Sequence, residues 1–167
     1  MIGANRIFLA AALVLGLAVP ASVVHAMGSG SSGSSSTSSP GTAGSSPTDY
    51  AKAEKAVKTE DYKTAIGLLD KVVAADPWNA NAFNYLGYSS RKLGDKDKAL
   101  AYYKRALEVD PKHLGANEYL GELYLEMENL AAAEERLAVL AKACKSSCEE
   151  FQELAEQVKA YKAKHQG

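Results

Sequence analysis

The sequence predicts an all-α protein, an array of three helix pairs closed by a seventh helix. Three observations carry this. Asp76-Pro77 and Asp110-Pro111 stand 34 residues apart, and Leu86-Gly87 recurs as Leu120-Gly121 at the same interval. Ala65, Ala99 and Ala133 fall on one ladder of that period, as do Asp61, Asp95 and Asn129, and Leu69, Tyr103 and Leu137. A fixed period of this length marks stacked units, each one supersecondary element. Such arrays usually bind other polypeptides along an open surface.

The chain opens on a different kind of sequence. Met1 to Arg6 carries one positive charge, and Ile7 to Val24 is apolar apart from Ser22. Val24-His25-Ala26 then offers small or modest residues at the −3 and −1 positions of a signal-peptidase site, so residues 1–26 are expected to be a signal peptide. Pro20 would end the apolar helix and expose the cleavage segment. An uncleaved anchor is the other reading, because 18 apolar residues are just enough to cross a bilayer. No cysteine follows directly on the run, so lipoprotein processing is not supported. Residues 27–45 are expected to be a flexible linker: Met27 to Pro47 holds ten serines and five glycines, has no side chains to bury, and as a coil spans about 25 Å root-mean-square.

Helices are predicted over 47–59, 62–75, 79–93, 96–109, 113–127, 130–143 and 148–164. Asp61, Asp95 and Asn129 are good N-cap residues where the second helix of each pair should begin. Pro77 and Pro111 end that helix, since proline disfavours helical dihedrals in the residue before it. Gly87 and Gly121 lie inside helical patterns, where glycine costs up to about 1 kcal/mol relative to alanine, a cost tolerated where a neighbouring helix must approach closely. The last helix places Phe151, Leu154, Val158 and Tyr161 on one apolar stripe with charge opposite. Repeat arrays need a terminal helix of this kind to cover the exposed face of the last unit, and an amphipathic partner-binding helix would have the same pattern.

Both cysteines lie in one stretch, Cys144-Lys145-Ser146-Ser147-Cys148. In an oxidising compartment two thiols this close, at a corner between helices, are expected to pair. The short loop corresponds to about 2 kcal/mol of stabilisation. A redox-active pair or half a metal site stands beside this reading, but zinc would need about four ligands, and after signal removal only His113 and His165 remain. Ser147 with Glu150 makes a capping box for the next helix.

Phe83, Leu86-Gly87, Ala99, Tyr103, Ala106 and Pro111 resemble the tetratricopeptide repeat, with its aromatic, Leu-Gly, Ala, aromatic, Ala and Pro at those offsets. The units run 46–79, 80–113 and 114–147, followed by a capping helix and tail at 148–167. The second unit matches almost throughout. The third keeps Leu120-Gly121, Tyr124, Ala133 and Leu137 but has Asn117 and Lys145 where the family has an aromatic and a proline. The first has Lys52-Ala53 in place of Leu-Gly. The resemblance implies a right-handed array of antiparallel helix pairs whose first helices line a concave groove. It also implies that positions 2, 5, 6, 9, 12 and 13 of each unit point into that groove. Carried onto this chain, the groove candidates are Tyr50, Glu54, Asn81, Asn84, Tyr85, Tyr88, Arg91, Lys92, Glu118, Tyr119, Glu122, Leu125 and Glu126. The tyrosines either supply contact area for a partner or pack between helices. Glu118, Glu122 and Glu126 form a stripe that is either a solvated face or a seat for a basic segment. Some family members clamp a C-terminal carboxylate. Here Tyr50, Glu54, Glu118 and Glu122 occupy the corresponding positions, and acids there would repel one.

Removing Arg6 with the signal leaves a net charge of −2, no electrostatic footprint for nucleic acid. Neither a phosphate loop nor a nucleophile–base–orienter set is present, so no enzyme, cofactor or metal is expected. The expected function is a protein-interaction module or scaffold in a bacterial envelope, exported to the periplasm, with a protein or peptide partner. The alternatives are a membrane-tethered assembly factor anchored in the inner membrane and facing the periplasm, and a thiol-redox accessory protein using Cys144 and Cys148.

Overall fold

The computed structural model describes residues 47–165; the leader, almost all of the Ser/Gly tract and the last two residues lie outside the described residues. Seven helices follow one another: α1 Pro47–Lys58, α2 Tyr62–Ala75, α3 Ala80–Lys92, α4 Lys96–Val109, α5 Leu114–Glu126, α6 Leu130–Cys144 and α7 Glu149–His165. Among the described residues there is no strand, and no helix is long and apolar enough to cross a membrane.

Short polar side chains set the starts. Asp61, Asp95 and Asn129 accept from the backbone N–H of Thr64, Lys98 and Ala132 at 3.1–3.2 Å, one orphan donor satisfied at the start of the second helix of each pair. Asn79 and His113, also 34 residues apart, cap α3 and α5. The turn inside each unit has its own periodic residue: Glu60, Gly94 and Glu128 all take positive φ, at 60°, 85° and 60°. Glycine stands there only in the second unit, so Glu60 and Glu128 hold a left-handed conformation that a β-carbon disfavours.

α1 packs on α2, α3 on α4 and α5 on α6, each pair stacks on the next, and α7 packs on both α5 and α6. Ala65, Ala99 and Ala133 are fully buried. The two helical glycines are filled from different places. A β-carbon on Gly87 would meet the Tyr103 ring of α4 at 2.6 Å, whereas one on Gly121 would meet Leu154 of α7 at 2.5 Å. Leu137, the ladder equivalent of Tyr103, is only partly buried. Its side chain lacks the reach of a tyrosine ring, and α7 supplies the missing volume. Leu154 and Val158 bury with Leu125, Ala133 and Leu140, so the stripe on the last helix is a core stripe.

The departures from the family pattern are accommodated locally. Asn117, fully buried, donates from Nδ2 to the Pro111 and His113 carbonyls at 3.2 and 3.0 Å. This ties the start of α5 to the turn that an aromatic would have filled. At the α6–α7 corner, Lys145 and Ser146 have φ of 54° and 59°, and Cys144 and Cys148 are joined with a Cα–Cα distance of 5.7 Å. The capping box expected of Ser147 and Glu150 does not form. Ser147 Oγ turns back to donate to the Cys144 carbonyl at 2.7 Å, and Gln152 N–H bonds the Cys148 carbonyl, placing the cap at Cys148.

Candidate functional site

The odd-numbered helices carry the residues expected to line the groove. Tyrosines dominate its first half. Tyr50 of α1 and Tyr85 of α3 have ring centroids 6.1 Å apart, Tyr88 and Tyr119 of α5 lie 5.1 Å apart, and Tyr62 at the start of α2 stands 6.1 Å from Tyr88. Edge and tilted arrangements at these separations suit the ring quadrupoles. Lys92 Nζ sits 5.2 Å from the centroid of Tyr88, an exposed cation–π contact. Together with Val57, Lys58 and Glu60, Tyr62, Tyr85, Tyr88 and Tyr119 surround an open pocket of about 280 Å³. Burial, and then the carboxylate of Glu54, raises the phenols of Tyr50 and Tyr85. Burial followed by Glu118 does the same to Tyr119, so these hydroxyls keep their protons and remain donors.

The acidic stripe is not a stripe. Arg91 of α3 crosses to α5, where its Nη1 pairs with Glu122 and its Nε with Glu126 at 2.7 Å. Lys96 adds a 3.6 Å ion pair to Glu126 and donates to its carbonyl at 3.0 Å. Gln157 of α7 donates to the other oxygen of Glu122. Glu122 is therefore buried and neutralised, and Glu126 is paired at the rim. Arg91 is not a free groove cation either, since only 13 % of its side chain is exposed.

Further groove candidates are internal. Asn84, Glu118 and Leu125 are buried with Glu122, because α5 is enclosed by α4, α6 and α7, while α3 and the α5 start close over Asn84. Asn81 accepts from His113 Nε2 at 2.8 Å while His113 Nδ1 accepts from Ala116 N–H at 3.1 Å. The second bond fixes the proton on Nε2 and makes the ring a bracket between units. Burial, the largest influence, holds His113 below its ordinary range, so it stays neutral. Open to solvent or half-open are Tyr50, Glu54, Asn81, Tyr85, Tyr88, Arg91, Lys92, Tyr119 and Glu126, of which Asn81, Arg91 and Glu126 are held in the contacts described above.

Sequence reasoning missed two groups here. Val57, Lys58, Glu60 and Tyr62 come from the α1–α2 turn, whose register a one-helix reading does not place in the groove. Glu149, Glu150 and Glu153 come from α7 and meet Glu118 and Tyr119 around a second open pocket of about 240 Å³.

Residues 58–142, just over half of the chain, match the sequence family described as "Anaphase-promoting complex, cyclosome, subunit 3", a tetratricopeptide-type family. The chain belongs to the tetratricopeptide repeat family. Among curated tetratricopeptide proteins it is similar to Tetratricopeptide repeat protein 37 of Xenopus laevis, at 33% identity over 72 residues, which is 43% of this chain. That stretch spans 5% of the relative's own length. Two solved structures share the tetratricopeptide fold. The type III secretion chaperone SycD of Yersinia enterocolitica, in complex with a peptide of the translocator YopD, aligns at TM-score 0.60 and 23% identity, over 68% of this chain and 86% of SycD. The first such domain of Spaghetti, bound to the HSP90 peptide SRMEEVD, aligns at TM-score 0.63 and 17% identity, over 70% of this chain and 90% of that one.

Proposed function

We propose that the protein is a non-catalytic, peptide-binding adaptor or scaffold of a bacterial envelope, exported by residues 1–26 and holding its partner along the groove of α1, α3, α5 and α7. The observation that carries this is the open pocket walled by Tyr62, Tyr85, Tyr88 and Tyr119. Four half-buried phenols offer rigid contact area at low entropic cost of ordering. SycD and Spaghetti each hold a peptide in these complexes, which supports a peptide as the ligand class. The Spaghetti peptide is acidic. Here the groove carries Glu54 at one end and Glu118, Glu150 and Glu153 at the other, which favours a partner segment with basic character.

Placement in the envelope rests on the charged start, the apolar run and the Val24-His25-Ala26 site, together with the paired cysteines. The length of the same apolar run favours one alternative, a tethered assembly factor. N-terminal sequencing of the protein recovered from its host separates the two: a start near Met27 means cleavage and export, and an intact Met1 means an anchor. The groove is tested by capture from envelope extract with the natural chain and a Tyr85→Ser/Tyr88→Ser variant. Loss of the partner at unchanged thermal stability supports the reading, and equal recovery by both sinks it.

A further inference from the structure

The tyrosines of the groove form a ladder that crosses the units. Tyr50 of α1 meets Tyr85 of α3, Tyr62 at the start of α2 meets Tyr88, and Tyr88 meets Tyr119 of α5, with ring centroids 6.1, 6.1 and 5.1 Å apart. Tyr103, fully buried, backs the last rung from the core at 6.3 Å from Tyr119. The rungs are fixed before any ligand arrives. The phenols of Tyr50 and Tyr85 both donate to Glu54, and the hydroxyls of Tyr62 and Tyr88 bond each other. Packing between helices accounts for the buried edges of these rings. It does not account for four of them, Tyr62, Tyr85, Tyr88 and Tyr119, facing one open pocket of about 280 Å³.

The other groups at that pocket narrow the ligand. Besides the rings, Val57 is the aliphatic lining residue, so there is no deep apolar well for a bulky anchor. Lys58 and Glu60 contribute one charge of each sign, and Lys92 already covers the Tyr88 ring at 5.2 Å. A cationic side chain seeking an aromatic face would meet those two ammonium groups first, so the pocket suits an uncharged segment. Hydrogen bonding leans the same way. Of the Tyr62–Tyr88 pair one O–H remains to donate outward, and Tyr119 and Lys58 add further donors. The Glu54 carboxylate is taken by two phenols, which leaves Glu60 as the carboxylate among the lining residues. A ligand rich in carbonyls and poor in N–H groups is the complement.

We propose that the tyrosine ladder receives a proline-rich segment of the partner in the polyproline II conformation. The proposal rests on the peptide-binding reading above and names the class of segment the groove selects. Proline carries no backbone N–H, and polyproline II makes no internal hydrogen bonds, so every carbonyl of the segment is free to accept. Aromatic-lined grooves are the surfaces on which such segments dock. The spacing agrees: two residues of polyproline II advance about 6 Å, close to the 5.1–6.1 Å between successive rings, so every second residue meets a rung. The segment is extended before it binds, so little chain entropy is lost on a surface without a deep anchor. Basic residues, favoured by the acids at the two ends of the groove, would flank the prolines.

The test is a titration of the isotope-labelled full chain with acetyl-hexaproline amide, followed by amide chemical shifts. An acetyl-(Gly-Ser)3 amide of the same length is the flexible neutral control, and acetyl-hexalysine amide the cationic one. The expected result is saturable movement of the amides of residues 57–62, 85–88 and 119 by hexaproline, with the Gly-Ser peptide binding at least about tenfold more weakly. Tyr119→Phe keeps the ring and loses the hydroxyl, and should weaken hexaproline about two- to tenfold, the range of one hydrogen bond. Tyr88→Ser removes a rung and should abolish the response. Four results overturn the proposal: no saturable movement of those amides, an equal response to the Gly-Ser peptide, movement by hexalysine and not by hexaproline, or hexaproline binding unchanged in both tyrosine variants. The Tyr85→Ser/Tyr88→Ser capture experiment reads the groove independently. Capture that depends on the tyrosines, with no hexaproline response, would leave the groove standing and remove the proline reading.

Discussion

Replacing Gly121 by alanine would put a methyl group 2.5 and 2.8 Å from the two terminal methyls of Leu154 and 3.2 Å from its Cγ. Leu154 is fully buried among Leu125, Ala133, Leu140 and Val158, so it has no free volume to turn into. Overpacking of this kind costs about 1–3 kcal/mol, set against a gain of about 0.5–1 kcal/mol for removing a glycine from a helix interior. The net expectation is a loss of up to about 2.5 kcal/mol and no gain. Gly67 provides the reference: it lies inside α2, and a β-carbon there meets nothing within 4 Å, so Gly67→Ala should show the propensity gain alone. Leu154→Ala should cost about 2–5 kcal/mol by itself. In the double variant the two changes relieve each other, so it should be more stable than the sum of the singles by about 1–3 kcal/mol. Urea titrations of the natural chain, the Gly121→Ala and Leu154→Ala singles and their double measure the corners of the cycle, with Gly67→Ala beside them as the reference. If Gly121→Ala gains as much as Gly67→Ala, or if the double variant is additive, α7 does not seat on Gly121.

Four further outcomes are expected. Glu128→Gly should stabilise the fold by up to about 1 kcal/mol, because Glu128 holds φ of 60° where glycine pays no steric penalty; a denaturant midpoint unchanged or lowered would refute the turn geometry. Cys148→Ser should lower stability by about 2 kcal/mol and leave peptide capture intact, while intact protein purified without reductant should weigh two hydrogens less than the dithiol. Arg91→Gln should cost about 2–3 kcal/mol, as Glu122 would remain buried without its cation; a loss under about 0.5 kcal/mol in thermal unfolding would restore the solvated-stripe reading. Glu118 is raised in the folded protein to about 9, so ionising it opposes folding. Its contribution to stability is therefore greatest below the ordinary carboxylate range and should fall by about 1–2 kcal/mol as pH rises from 5 to 9, a value discounted for water in the open pocket. Glu118→Gln should flatten that slope.

The helices were legible because their ends are written locally. Each of the seven ranges read from caps, prolines and apolar spacing lies within one residue of the observed element. The small excess at residues 79, 93, 113 and 127 arises because these positions are caps and not helical turns. The close approaches at Gly87 and Gly121 were readable too, but not that Leu154 would fill the second one, since spacing within α7 fixes its apolar face and not the glycine beneath it. The groove was read less well. Tyr50, Tyr85, Tyr88 and Tyr119 stand where the family pattern puts them, whereas Asn84, Glu118, Glu122 and Leu125 are buried. That pattern describes a helix flanked only by its own kind, and α5 lies under α7 as well.

The polar contacts that overturned the stripe share one arithmetic. Arg91 reaches Glu122 and Glu126 at separations of 31 and 35, Asn81 meets His113 at 32, and Gln157 meets Glu122 at 35. All bracket the repeat period of 34, because side chains one period apart, give or take one helical turn, stand side by side on consecutive units. A charge in such an array therefore has to be judged against residues one unit away as well as against its own helix, where only neighbours three and four residues distant interact. By that criterion Glu122 and Glu126 are answered from the unit before them, and Glu122 again from the helix after. Glu118 is met one unit later by Glu150 and Glu153, like charge against like. The same stacking that pairs opposites elsewhere here brings carboxyls together, and burial with the hydrogen bond to Glu153 holds the Glu118 carboxyl in its protonated form.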